Sequence, residues 1–99
     1  PIRTMAKNIT SATDTTWDFP GLEGTVFIKV TGTWGGTSLD IKTQNGNDEW
    51  ETYPEHGTKT GDFARYYTVA NDNGVRLTTT GGSGIDLWAI VVEKEAVDK

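Results

Sequence analysis

The side chains able to do chemistry in this chain are few, and most lie in one stretch. Asp48, Glu49, Glu51 and Glu55 fall close together, and His56, the only histidine, follows directly. A pair of carboxylates is what glycoside hydrolysis requires. With fourteen acidic residues in the chain, however, such closeness does not single out a pair. A Ser-His-acid relay needs a base that can hold a hydroxyl proton near neutral pH. His56 sits between Glu55 and Gly57 with no serine in a nucleophile-elbow pattern, since Gly36-Thr37-Ser38-Leu39-Asp40 is not one. His56 therefore reads as a solvated loop residue and the chain as a non-enzyme. Asn45, Asn47, Asp48 and Glu49 gather oxygen ligands in a turn, as Ca²⁺ prefers, but their spacing does not fit an EF-hand loop. Asp72 and Asn73 are turn formers. Gly81-Gly82-Ser83-Gly84 lacks the lysine and the following helix of a phosphate loop. The expectation is no cofactor and no metal.

The elements around these residues are strands. Gly24–Trp34 alternates, with Val26, Ile28, Val30 and Trp34 on one face; Phe27 interrupts the polar face of Thr25, Lys29 and Thr31. Residues 37–44 place Leu39 and Ile41 inward and Ser38, Asp40 and Lys42 outward, the pattern of a half-buried antiparallel strand. Gly35-Gly36 and Asn45-Gly46 are turn signals, so residues 24–53 read as a three-strand meander. Residues 62–70 form a further strand of ambiguous facing. Residues 75–80 put Val75, Leu77 and Thr79 on one face, and 84–93 form the last strand. With a strand near 2–10 the count is about seven or eight. The expected fold is a single antiparallel β-sandwich, jelly-roll or immunoglobulin-like. Residues 1–16 are an N-terminal arm, either a strand or an inter-subunit arm, and 17–99 are the sandwich.

The last strand departs from the pattern of a strand with one wet face. Ile85, Leu87, Ala89 and Val91 form one side, while Trp88, Ile90 and Val92 make the other apolar as well. A second apolar face has to be covered by the arm, a loop or another subunit. Arg3, Lys7 and Ile9 of the arm, with Trp88, Ile90 and Val92, are the candidate subunit or capsid interface. Trp34, Trp50 and Tyr53 are the candidate aromatic framework of the 31–53 hairpin and core. Trp17, Trp34, Trp50 and Trp88 with Tyr53, Tyr66 and Tyr67 also permit a carbohydrate-binding module, provided several rings lie exposed on one face.

Charge and composition narrow the partners. The net charge of −5 lacks the basic footprint of a nucleic-acid binder and does not suit an anionic membrane surface. Arg3 and Lys7 lie in a first segment without acids, so the negative charge belongs to the body that follows. The 99 residues include no cysteine, which excludes disulfides and thiolate sites. The first twenty residues hold no apolar h-region, and no apolar run reaches membrane-spanning length, so the expectation is a chain made in the cytoplasm and not exported.

The stretches TGTWGGTSLDIKTQNGNDEWETY and GVRLTTTGGSGIDLWA carry a resemblance. A strand ending in Trp34-Gly35-Gly36, an amphipathic strand through Leu39 and Ile41, and a hairpin bearing Trp50 are followed by Val75-Arg76-Leu77, Gly81, and a closing Ile85, Leu87, Trp88, Ala89. This order resembles small tailed-bacteriophage virion proteins over about residues 24–90, departing at the NGNDEW hairpin. The resemblance implies a non-enzymatic structural protein located in the virion. The favoured role is a capsid decoration, or cement, protein forming a small cyclic homo-oligomer, with a trimer favoured; a tail or head-fibre component is the other virion role. The implied partners are further copies of the chain and a capsid or other virion protein.

Overall fold

The computed structural model describes residues 3–11, 15–19, 24–44, 49–69 and 74–94. Nine strands follow in chain order: β1 (Arg3–Ile9), β2 (Thr15–Phe19), β3 (Gly24–Thr33), β4 (Ser38–Gln44), β5 (Trp50–Thr52), β6 (Thr58–Lys59), β7 (Phe63–Val69), β8 (Val75–Thr80) and β9 (Asp86–Lys94). Among the described residues no helix is long and apolar enough to cross a membrane.

Two antiparallel sheets face each other. Sheet A has the order β1-β9-β3-β7; sheet B has β2-β8-β4-β5, with β6 also paired to β4. The inward rows meet as one core. Val26, Ile28 and Val30 from β3, Leu39 and Ile41 from β4, Val75 and Leu77 from β8, and Leu87, Ala89 and Val91 from β9 are buried. Strict period-two alternation delivers these residues to one face, as the sequence pattern requires.

Consecutive strands mostly change sheet. The partners nest instead: β4 with β5, β3 with β7, β2 with β8, β1 with β9. This is the wiring of a jelly roll and not of an immunoglobulin sandwich, the other form compatible with the sequence. It corrects the expected meander. The turn at 34–37 does form, closed by Thr37 N–H donating to the Trp34 carbonyl at 3.0 Å, with Gly35 and Gly36 at positive φ. The strands it joins then diverge, β3 into sheet A and β4 into sheet B. The β8–β9 connection crosses back beside it, and Ser83 N–H donates to the Gly35 carbonyl at 2.9 Å. A side chain at Gly35 would run into the Ser83 carbonyl, so this contact between crossovers requires glycine.

The stretch 1–16, read as either a strand or an inter-subunit arm, supplies β1 and the first two residues of β2. Residues 3–9 form β1 along the outer side of β9, with Arg3 opposite Glu93 and Ile9 opposite Leu87. The short strand β2, which the sequence reading missed, places Trp17 opposite Leu77 and half-buried against the core.

Candidate functional site

The outer face of sheet A is built by register. Trp88, Ile90 and Val92 project from β9 on the side opposite the buried Leu87, Ala89 and Val91. Val92 lies opposite Thr4 of β1 and Phe27 of β3, and Phe27 lies opposite Tyr66 of β7. One cross-strand row therefore reads Thr4, Val92, Phe27, Tyr66. The next reads Ala6, Ile90, Lys29, Ala64. Phe27 and Tyr66 pack ring to ring at 5.0 Å between centroids. Trp88 is 53% exposed and Tyr66 57%, while Phe27, Ile90 and Val92 are half-buried. The result is an apolar stripe running across β9, β3 and β7.

Of the interface residues expected from sequence, Trp88, Ile90 and Val92 share this face. Ile9 does not: it is fully buried in the core, because its register opposite Leu87 points it between the sheets. Lys7 lies opposite Ala89, on the inward side of the edge strand, and is exposed. Arg3 is placed by its backbone opposite Glu93. Phe27 and Tyr66 were missed as members. Phe27 carried a usable signal, since it interrupts a polar face as Trp88 and Ile90 do.

The aromatic framework separates into different roles. Trp34 is half-buried against the core, and its indole N–H donates to Asp62 Oδ1 at 2.7 Å; the same oxygen accepts from Gly32 N–H at 3.1 Å. That clamp ties the end of β3 to the segment before β7. Trp50 lies instead on the outer face of sheet B, with the Arg76 guanidinium 4.2 Å from its ring centroid. Arg76 makes a two-pronged pair with Asp18, at 2.6 and 3.1 Å. The Asp18 carboxylate holds the guanidinium proton still more firmly than usual. The four tryptophans thus form no shared platform.

Three tyrosines do converge. Between β5 and β6 the chain leaves the edge of β4 and returns to it: Tyr53 N–H donates to the Ile41 carbonyl at 3.1 Å, and Ile41 N–H donates to the Gly57 carbonyl at 2.6 Å. The excursion at 54–56 reaches the edge of sheet A. There the Tyr67 hydroxyl donates to the His56 carbonyl at 2.5 Å, and the Tyr53 hydroxyl donates to the Thr68 carbonyl at 2.7 Å. Gly57 is buried, and a side chain there would strike the Tyr53 carbonyl and the Thr52 methyl. The Tyr53 and Tyr67 rings tilt together at 4.9 Å. Burial pushes the Tyr53 phenol up, and pushes Tyr67 up to about 12. Over this bulge lies a groove of about 360 Å³ lined by Tyr53, Glu55, His56, Tyr66, Tyr67 and Thr68 among others. His56 Nε2 stands 2.8 Å from Arg65 Nη2 and 3.9 Å from a Glu55 oxygen.

Among the described residues no three His, Asp or Glu side chains converge as metal ligands; Asn45, Asn47 and Asp48 lie outside those residues. Compared with protein-family models, with curated proteins and with solved structures, the chain matches none.

Proposed function

We propose that this chain is a non-enzymatic structural protein of a phage virion, a capsid decoration protein that assembles through the outer face of sheet A. The carrying observation is the apolar stripe of Trp88, Ile90, Val92, Phe27 and Tyr66. Withdrawing such a surface from water gains about 25 cal/mol per Å², and large exposed apolar patches mark interaction sites. Trp and Tyr are the side chains that anchor interfaces. The phage context and the capsid partner rest on the sequence resemblance. A cyclic trimer is the proposed assembly, made in the host cytoplasm and carried on the virion.

Light scattering on a sizing column, at micromolar concentration, with and without EDTA, tests this. The expected result is a trimer indifferent to EDTA and reduced to monomer by Trp88→Ser, with unchanged β-sheet circular dichroism. A wild-type monomer, or a trimer untouched by Trp88→Ser, would overturn the assembly surface. Dissociation by EDTA would instead show that a metal holds the assembly.

A further inference from the structure

We propose that the groove over the 54–56 bulge binds a neutral oligosaccharide of hexopyranose units, at a site that shares Tyr66 with the apolar stripe but not Trp88, Ile90 or Val92. Its volume of about 360 Å³ falls in the range of small-ligand sites. Its walls are mainly aromatic, and the Tyr53 and Tyr67 phenols are engaged, Tyr53 on the Thr68 carbonyl and Tyr67 on the His56 carbonyl. Those bonds fix the rings before any ligand arrives, so little ordering is left for binding to offset. The ring surface open to a ligand is that of Tyr66, 57% exposed, beside the half-buried Tyr53, with the buried Tyr67 ring fixed beneath them. Pyranose C–H groups carry partial positive charge and suit the negative face of an aromatic ring.

The polar groups fit the hydroxyls of a sugar. A guanidinium only donates, so His56 Nε2 accepts from Arg65, and Nδ1–H is left as the ring's donor. The Glu55 side chain is 86% exposed at the rim and supplies acceptors. The Arg65 and Glu55 charges approach the same imidazole nitrogen and offset each other. A neutral ligand therefore suits the groove better than an anion or a cation. A peptide added as a further strand fits less well, because the Tyr53 hydroxyl already occupies the Thr68 carbonyl on the outer edge of β7.

The test is an amide NMR titration of the full chain with maltohexaose, cellohexaose and hexa-N-acetylchitohexaose. The expected result is saturable shifts at residues 53–57 and 66–68 with at least one of them, with a Kd of about 1 mM. Removing a stacking ring with Tyr66→Ala should weaken binding about fivefold, and Glu55→Gln should weaken it in a chain with an unaltered spectrum elsewhere. Because Tyr66 also belongs to the stripe, Trp88→Ser separates the two sites: sugar binding should survive it. No saturable shift with any of the three sugars at about 10 mM, an affinity at the groove too weak to matter, would overturn the proposal. So would shifts centred on Trp88 and Ile90, or an affinity unchanged by both groove variants.

Discussion

The two outer faces of the sandwich are made by the same alternation and reach opposite results. On sheet B the outward side chains satisfy one another. Asp18 pairs with Arg76, Arg76 lies over Trp50, and the Thr58 hydroxyl donates to Asp40 at 2.9 Å. On sheet A the corresponding positions in β9 and the centre of β3 hold Trp88, Ile90, Val92 and Phe27, around a single Lys29. Covering face B would strip water from charges whose pairing with each other is worth little. Covering face A removes mainly apolar surface and has one central charge, Lys29, to desolvate or place at the rim. One architecture thus presents a polar, mutually paired side and an apolar side, and the difference lies in which residues the register lines up rather than in any single strand.

The sharpest way to break this comparison is to put the same charge on each face. Ile90→Lys should weaken association by at least about 2 kcal/mol, roughly thirtyfold, as loss of an interface hot spot does. Thr78→Lys, on the outer side of β8, should leave it unchanged; sedimentation velocity reads both. Equal effects would mean that the faces are not distinct.

A smaller effect belongs to the seam where the sheets meet. The Tyr67 phenol is raised from 10.0 to about 12 in the folded chain. The unfolded chain therefore gives up this proton first. The stability Tyr67 contributes is complete below pH 10 and is lost as pH rises through 10 toward about 12. Urea midpoints across that window should fall, and Tyr67→Phe should flatten the fall. The smallest effect is on face B itself: Arg76→Met, which breaks the exposed pair with Asp18, should cost less than about 1 kcal/mol and less again in high salt.

Much of the fold was legible because burial in a strand follows a period of two. Leu39 and Ile41, Val75, Leu77 and Thr79, and Ile85, Leu87, Ala89 and Val91 all face inward as their spacing dictates. Partner choice was not legible. Gly35-Gly36 signals a turn whether its strands pair or part, and only the contact with Ser83, far along the chain, tells which. The short strands β2 and β6 carry too few residues to show a period. Three of the five stripe residues were readable in β9, whereas Ile9 was misplaced because an apolar residue in a terminal segment fits an interface and a core equally well. The groove left no trace in spacing: Tyr53 and Tyr67 meet only because the chain bulges at 54–56.

The nested partners also set an order in time. The β4–β5 hairpin closes a short loop. The β3–β7 pair spans more chain, β2–β8 more again, and β1–β9 nearly all of it. Loop-closure entropy rises with each span, so the chain zips outward from the hairpin on the slow timescale of non-local β proteins. β1, held in its sheet by β9 alone, closes last and opens first. Its amides should exchange with solvent well ahead of those in β3 and β8. Each opening bares the free edge of β9, the strand that carries Trp88, so the rate at which β1 leaves sets how often that apolar-faced strand is open to a stray partner.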